Sequence, residues 1–360
     1  MNLLTVENLA KSYGERILFE QVSLSINEGD KIGLIGVNGT GKTTFLEVLT
    51  GREPADAGKV ILNSGVRLEY LSQNPDFAER ATVLEQVFQG DSPAMQAIRD
   101  YELVLGQVQA QPGDTKLQER LIRLSQQMDA THAWQLESDA KTILTKLGIV
   151  DFAANISELS GGQRKRVALA AALIQPADLL ILDEPTNHID NDMVAWLEQY
   201  LHSYNGALLM ITHDRYFLDR VANRIIEIDR GRLYGYSGNY GDFLSLKAER
   251  EEQQESSERK RQNLLRNELA WIRRGAQARS TKQKARIERF EELSSQKTTA
   301  PVGKLEIEAG ATRLGRKIIE LDGIHFGYAE TELIRDFSYN LLKNDRLGIV
   351  GPNGSGKSTL

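Results

Sequence analysis

Apolar and polar positions alternate in short runs over the first 75 residues, a pattern that predicts short strands around one helix. Apolar runs at 32–35 and 68–71 have the length of buried strands. A helix is predicted over 42–50, and residues 51–58, which contain Pro54, predict the turn that follows it. The chain therefore opens with strands packed around an early helix.

The apolar period lengthens to that of a helix after residue 93. Two apolar stripes with helical spacing are separated by Pro112, Gly113 and Asp114. Their members are Ile98, Tyr101, Leu105 and Val108, and then Leu117, Leu121, Leu124 and Met128. Segment 93–128 is therefore predicted to be a helical hairpin.

Strand and helix patterns alternate again between 140 and 229, with apolar strands predicted at 179–182 and 207–212. This alternation is typical of an α/β fold, in which helices flank a mostly parallel sheet. Residues 247–297 are rich in Glu, Lys, Arg and Gln and are predicted to be helical throughout. Pro301 lies in the stretch that closes this segment.

Two loops with the pattern G-x-x-x-x-G-K-S/T lie 315 positions apart, at 36–43 and 351–358. Each follows an apolar run that predicts a buried strand, the second run being 347–350. The same shift of 315 places Leu9 on Ile324 and Gly33 on Gly348 without a gap. The repeat is long enough to predict a duplicated domain, with the second copy beginning near 317.

Glycines let such a loop turn its backbone N–H groups toward a phosphate, and the following helix adds its positive N-terminal end. The pattern therefore predicts nucleotide binding by both loops, with the lysine on the β/γ-phosphates and the following hydroxyl on Mg²⁺. The first set is Gly36, Asn38, Gly39, Gly41, Lys42, Thr43 and Thr44, and the second is Gly351, Asn353, Gly354, Gly356, Lys357, Ser358 and Thr359.

Five more elements follow the first loop in a fixed order. Gln73 comes after the strand 68–71, and Ser160, Gly161, Gly162 and Gln163 open a helix. Paired carboxylates end the next apolar strand, and a histidine follows the one after that; these residues are Asp183, Glu184 and His213. An Asp-Glu pair alone is usually a polar strand end, and a serine alone is often a helix cap. Their order behind a phosphate-binding loop favours a shared chemical role.

Together these residues resemble the ATPase domain of the ATP-binding-cassette (ABC) superfamily. The resemblance implies that Asp183 binds Mg²⁺ with Thr43 and Gln73, and that Glu184 activates the attacking water. It also implies that His213 contacts the γ-phosphate and that Tyr13 stacks on adenine. Residues 160–163 face the γ-phosphate of the opposing ATPase domain in such proteins. The expected cofactors are ATP and Mg²⁺.

Composition narrows the class of protein. The chain has 360 residues, 41% of them hydrophobic, and no cysteine, which excludes disulfides and thiolate metal sites and fits a cytoplasmic protein. No apolar run reaches about 18 residues, so no membrane-spanning helix is predicted. The net charge is −6, yet residues 259–289 carry eleven basic and two acidic residues, a net +9. Such a segment is suited to the phosphate backbone of a nucleic acid.

Two ATPase copies joined by a charged helical linker resemble the ABC-F family of ribosome-associated translation ATPases, and within it the Uup-like proteins. The resemblance implies the ribosome as partner, with ribosomal RNA and peptidyl-tRNA near the linker, and pairing of the two ATPase copies within one protein. The hairpin at 93–128 takes the place of the family's arm. The implied RNA contacts are Arg273, Arg274, Arg279, Lys282, Lys284 and Arg286.

The predicted organisation is a P-loop ABC-type ATPase domain at 1–246, a charged α-helical linker at 247–300 and the start of a second ABC domain at 301–360. Each composite site would lack part of its second half, so this chain is expected to bind ATP but to hydrolyse it poorly. Three alternatives stay open: the ATPase component of a transporter, an antibiotic-resistance member of the ABC-F family, and, less favoured, a DNA-repair or chromosome ATPase.

Overall fold

A computed structural model describes residues 1–78, 81–90, 92–273, 317–328, 331–342, 345–351, 356–357 and 359–360. The chain divides into two compact units, Met1–Leu244 and Ser245–Leu360. In chain order the strands and helices are β1 Asn2–Tyr13, β2 Arg16–Asn27, β3 Lys31–Ile35, α1 Lys42–Leu49, β4 Ala57–Leu62, β5 Leu68–Leu71, α2 Val83–Val87, α3 Pro93–Ala110, α4 Thr115–Ala130, α5 Ala133–Lys146, α6 Gly161–Ile174, β6 Leu179–Asp183, α7 Asn191–Ser203, β7 Ala207–Ile211, α8 Arg215–Val221, β8 Arg224–Asp229, β9 Arg232–Ser237, α9 Tyr240–Arg273, β10 Lys317–Tyr328 and β11 Thr331–Leu342.

A six-stranded sheet organises the first unit, with strand order β5-β6-β7-β3-β8-β9. All neighbouring strands are parallel except β8 and β9, which are antiparallel. Strands β6 and β7 each lie between two neighbouring strands and are buried along their whole length, which explains why they are continuous apolar runs. The predicted α/β fold with a mostly parallel sheet is confirmed.

A separate antiparallel sheet of order β2-β1-β4 covers one face of the central sheet. Successive side chains of a strand point to opposite faces. Ile181 and Leu209 therefore belong to the core that includes β1, β2 and α1, whereas Leu182 and Met210 belong to the core built from the helices. The central sheet thus separates two apolar layers, and its strand ends are fixed from both sides.

The helical hairpin predicted at 93–128 is present as α3 and α4. Ser92 caps α3, with Pro93 in the first helical turn, where a missing N–H costs nothing. Asp114 caps α4 by accepting hydrogen bonds from the N–H groups of Lys116 and Leu117. Of the eight residues in the predicted apolar stripes, Ile98, Leu124 and Met128 are buried and the other five are half-buried. Among the described residues, no helix combines the length and the apolar character needed to cross a membrane.

Two predictions about the first 75 residues need correction. Strands β1 and β2 are twelve residues long rather than short, because bulges let one continuous pairing bend around the core. The turn predicted over 51–58 ends earlier, since β4 begins at Ala57 and pairs with β1. Turn residues alone did not reveal this pairing, which joins Ala57 to Ala10 far back along the chain.

The described part of the second unit contains the antiparallel pair β10 and β11. The buried strand predicted at 347–350 is wrong: these residues form no strand, and Leu347, Ile349 and Val350 are exposed. In the first copy the matching strand β3 is buried because β7 and β8 pair with it on both sides. Positions 315 further on from β7 and β8 lie beyond residue 360, so this run has no such neighbouring strands among the described residues.

The β5 strand carries a carboxyl group that makes the stability of the first unit depend on pH. Burial raises the pKa of Glu69 to about 7, and Arg52 only partly opposes this shift. Because the folded state holds the proton more tightly, the free energy of unfolding falls as pH rises from about 4.5 to about 7. We expect Glu69→Gln to stabilise the unit by about 1–2 kcal/mol at pH 8 and to leave it unchanged at pH 4.5. Urea unfolding of both proteins at the two pH values measures the difference, and equal gains at both would contradict it.

Candidate active site

The first glycine-rich loop joins β3 to α1 at the carboxyl end of the parallel sheet. A Cβ atom at Gly36 would lie 2.7 Å from the carbonyl oxygen of Ile228, so no side chain fits there. Gly41, which caps α1, has φ 91°, a conformation that other residues rarely adopt. The loop is therefore closely packed against β8 and curls into the start of α1, which is the geometry that suits a bound phosphate.

Lys42 folds back over this loop. Its Nζ donates hydrogen bonds to the carbonyl oxygens of Gly36, at 2.9 Å, and Val37, at 3.4 Å. Burial lowers the pKa of the lysine, while the charges of Glu184 and Asp183 oppose the shift. The ammonium group therefore lies at the centre of the loop, where an anion would gain from its charge.

Asp183 ends β6 and presents both carboxylate oxygens to the site without a hydrogen-bond partner. Its side chain is 3% exposed, and burial raises its pKa; the hydroxyl of Thr43 opposes this shift but lies outside normal hydrogen-bond geometry. A buried carboxylate without partners is costly unless a cation compensates it. Oxygen ligands of this kind are those that Mg²⁺ prefers, so the residues present fit the ion.

Glu184 follows in a strained conformation. Its φ is 56°, in the left-handed region, and its N–H donates to the carbonyl oxygen of Ile211 at 2.8 Å. The Oε1 atom lies 3.3 Å from Nε2 of His213, while Oε2 is buried without a partner. Burial raises the pKa of Glu184, and His213 is the largest opposing influence. A carboxylate with a raised pKa beside an open cleft has the properties of a general base.

A second contact fixes the segments that carry Glu184 and His213. The hydroxyls of Thr186 and Thr212 are 2.8 Å apart, and Thr212 also accepts a hydrogen bond from the N–H of Asp214. Asp214 in turn caps α8. Because Thr212 is buried, the chain on both sides of the carboxylate–histidine pair is held rigidly. Sequence reasoning missed this pairing, since a contact between two hydroxyls depends on how the segments that carry them pack.

These side chains line one open cleft in the first unit, whose free volume, with the solvent at its mouth, is about 840 Å³. The cleft brings together eleven of the residues predicted from the sequence: Tyr13, Asn38, Gly39, Gly41, Lys42, Thr43, Thr44, Gln73, Asp183, Glu184 and His213. Leu18 and Ile211 also line it and were not predicted. The dimensions are those of a site for a small organic ligand.

Residues 160–163 do not line this cleft. Ser160 caps α6 by accepting from the N–H of Gln163 at 3.3 Å, and the Gln163 side chain accepts from the Ser160 N–H at 2.9 Å. Gln163 is thus engaged in a capping box. Ser160 and Gly161 are exposed at the start of the helix. Within the first unit this segment is therefore separate from the glycine-rich loop.

The described glycines of the second glycine-rich loop, Gly351 and Gly356, have the backbone angles of their counterparts in the first. Gly356 has φ 87°, and Lys357 Nζ donates to the carbonyl oxygen of Gly351 at 2.7 Å. The N–H of Thr359 donates to the Gly356 carbonyl at 3.0 Å. Asn353, Gly354 and Ser358 lie outside the described residues, as do the predicted RNA contacts Arg274, Arg279, Lys282, Lys284 and Arg286. Arg273 is the last residue of α9.

Arg16 is a further contact of the first loop that sequence reasoning missed. Its guanidinium donates to the carbonyl oxygen of Gly39, and a Cβ on Gly39 would lie 2.9 Å from it. The residue lies 23 positions before Gly39, at the start of β2, and no motif marks it. It ties the antiparallel sheet to the phosphate-binding loop.

A phosphate-binding loop, a strand that ends at Asp183 and is followed by Glu184, and a capped segment at 160–163 define an ABC ATPase domain. In agreement with this, residues 19–187 match the family model described as "ABC transporter", and residues 226–308 match a second model of the same description. The first unit of the chain therefore contains an ATPase domain of the ABC class.

Two known proteins are similar to the chain over nearly its whole length, and a solved structure is similar to part of it. It is 50% identical to an "Uncharacterized ABC transporter ATP-binding protein YfmR" of Bacillus subtilis over 360 residues, all of this chain and 57% of that protein. It is 40% identical over 359 residues to an "Energy-dependent translational throttle protein EttA" of Mycobacterium tuberculosis, which covers 99% of this chain and 64% of that protein. The chain thus spans about three fifths of these relatives. A solved "ATP binding subunit of ABC transporter" superposes with TM-score 0.49 at 19% identity, over 65% of this chain and 90% of that one.

Proposed function

We propose that the first unit binds ATP with Mg²⁺ in the cleft and contributes the groups that hydrolyse it. The observation that carries this proposal is the convergence of Lys42, Asp183, Glu184 and His213 on one cleft. Lys42 and the loop N–H groups would hold the β/γ-phosphates, and Asp183, Thr43 and Gln73 would hold the metal ion. The ion would neutralise charge that develops on the transferred phosphoryl group.

Glu184 and His213 form the reacting edge of this site. The Oε1 atom of Glu184 faces Nε2 of His213, so the carboxylate is oriented and its other oxygen is left for a water. Because the pKa of Glu184 is raised, its carboxylate is a stronger base and accepts a proton from that water more readily. His213 is 63% exposed toward the cleft, where it can reach the terminal phosphate.

We propose further that residues 160–163 complete the nucleotide site of the other ATPase copy. Their separation from the first loop supports this, because an exposed helix N-terminus suits an anion brought from outside the unit. ATP would then close two copies on each other, and hydrolysis would release them.

We propose that the whole protein acts on translation at the ribosome, as an ABC-F ATPase. The name of the relative from M. tuberculosis, a translational throttle protein, supports this, and so does the basic segment 259–289 on an otherwise acidic chain. RNA binding dominated by phosphate contacts weakens with salt, and its affinity scales with roughly one inverse power of salt concentration for each phosphate that the protein neutralises.

The linker prediction tests this proposal. Replacing Arg273, Arg274 and Arg279 by Gln should weaken co-sedimentation with ribosomes in the presence of ATP and lower the salt slope by about 2–3. A matched control replaces Lys59, Arg230 and Arg232, which are exposed positions of the first unit, and removes the same charge. Equal losses of ribosome binding for both variants would assign the effect to net charge alone.

The same experiment separates the two functional classes. If the whole protein with an unaltered linker stays in the ribosome-free fraction at low salt with ATP, the translation proposal fails while ATP binding stands. Co-purification with a membrane permease instead would favour the transporter ATPase. Drug susceptibility of cells that lack the protein decides whether it protects ribosomes from antibiotics.

A further inference from the structure

A buried lysine lies next to the aromatic residue predicted to stack on adenine. Lys11 is 6% exposed, although it lies on β1 only two residues before Tyr13. Its Nζ is 2.7 Å from Oε1 of Glu53, 2.8 Å from the carbonyl oxygen of Pro54 and 3.5 Å from Oδ1 of Asp56. The hydrogen bond with Glu53 is the largest influence that raises the pKa of Lys11, so the amine stays charged.

The turn after α1 is wrapped around this part of β1. Asp56 accepts hydrogen bonds from the N–H and the hydroxyl of Ser12, at 2.7 and 2.8 Å, and its own N–H donates to Ala10 at 3.0 Å. Lys11 and Ser12 are therefore both anchored to residues 53–56. The backbone that leads into Tyr13 is fixed by contacts on each of the three preceding residues.

The anchored ammonium lies over the ring of Tyr13. The distance from Nζ to the ring centroid is 5.3 Å, within the range in which a cation is attracted to the ring face. The Tyr13 side chain is 51% exposed and lines the cleft. One face of the ring thus meets a fixed cation, while the exposed part of the ring is available to a ligand in the cleft.

We propose that Lys11 is a positioning residue that holds the Tyr13 ring against a cation so that a planar nucleotide base stacks on the ring's exposed side. The proposal rests on ATP binding at the first site and adds to it a source of base recognition that is separate from the phosphates. Its ligand class is a nucleotide with an aromatic base, in contrast to a bare polyphosphate.

The repeat predicts that only the first site has this arrangement. The position that matches Lys11 in the second copy is Phe326, an exposed apolar residue, whereas the position that matches Tyr13 is again a tyrosine, Tyr328. A phenyl ring carries no positive charge, so Phe326 cannot provide the cation–ring interaction that Lys11 makes with Tyr13. The first site therefore draws more of its affinity from the base than the second does.

The experiment measures binding by isothermal titration in the full chain carrying Lys357→Ala, so that the first loop is the intact one. The probes are MgATP and Mg-tripolyphosphate. Lys11→Met keeps the apolar part of the side chain and removes the charge. It should lower the affinity for MgATP about three- to fivefold and leave the affinity for tripolyphosphate unchanged. Lys11→Arg should restore the MgATP affinity. With Tyr13→Ala already present, Lys11→Met should have no further effect on MgATP.

A purely structural role gives a different pattern. If Lys11→Met weakened both probes equally, or acted equally with and without Tyr13→Ala, the proposal would be overturned. Glu53→Gln serves as a second variant if Lys11→Met does not fold. It weakens the hydrogen bond that holds the Lys11 ammonium, and it should lower the affinity for MgATP about twofold while the affinity for tripolyphosphate stays the same. If the Lys357→Ala protein did not bind MgATP, the proposal of ATP binding at the first site would itself be overturned. If that protein bound MgATP and the Lys11 and Glu53 variants bound it equally well, only the role of Lys11 would be overturned.

Discussion

Replacing Lys42 by Ala should weaken MgATP binding at the first site by about a hundredfold. The ammonium is partly buried among the carbonyl oxygens of Gly36 and Val37 and the charges of Asp183 and Glu184. A charge-assisted hydrogen bond to phosphate in such surroundings is worth about 1.5–3 kcal/mol, and Lys42 has donors for more than one. Without it, a bound triphosphate would face two carboxylates with no opposing cation from the loop.

The matched control is Lys59→Ala, because Lys59 is exposed and pairs with Glu7 on the surface. Titration with MgATP in the Lys357→Ala background compares the two, and circular dichroism checks that Lys42→Ala keeps its fold. A loss of affinity of less than about fivefold for Lys42→Ala would contradict the phosphate role of the loop.

Replacing Asp183 by Asn should stabilise the protein and at the same time remove its response to Mg²⁺. Both carboxylate oxygens are buried without partners, and burial raises the pKa, so the ionised form costs stability at neutral pH. An amide costs less to bury than a carboxylate. We expect the melting temperature of the ligand-free protein to rise by about 3–8 °C at pH 7. The difference should narrow as pH falls toward about 3.9, where the unfolded carboxyl is itself protonated.

The metal dependence is measured separately, as ATP affinity with Mg²⁺ against ATP affinity with EDTA. The unaltered protein should bind ATP more tightly with Mg²⁺, and Asp183→Asn should give similar affinities under both conditions. Asp178→Asn is the control, because Asp178 is paired with Arg67 on the surface and should lose rather than gain stability. If the Asp183→Asn protein were less stable and still bound ATP more tightly with Mg²⁺ than with EDTA, the assignment of Asp183 as a metal ligand would be wrong.

The sequence was sufficient where local chemistry determines structure. The glycine-rich loop, the strand that ends in Asp183 and the capped helix at Ser160 are each specified by a few adjacent residues, and each was found where predicted. The prediction of a buried strand at 347–350 was wrong because the burial of a strand depends on the strands that pair with it. Similar patterns give a buried β3 in one copy and exposed residues in the other.

The residues that sequence reasoning missed are those whose partners are far away in the chain. Lys11 looks like a surface position of a strand, and its burial follows from Glu53 and Asp56, which lie beyond α1. Arg16 contacts Gly39 across 23 positions, and Thr186 contacts Thr212 across 26. None of these pairs leaves a periodic signal, because a hydrogen bond between two elements depends on how those elements pack.

Gly351, Gly356 and Lys357 of the second glycine-rich loop have the local geometry of their counterparts in the first, although residues 345–350 before them form no strand. Gly356 and Gly41 have φ 87° and 91°, and both lysines close onto the carbonyl of their first glycine. At these described positions the backbone angle and the lysine contact therefore do not depend on a neighbouring strand. A duplication that copies these glycine and lysine positions therefore carries their local geometry into the second copy, even where the residues before them form no strand.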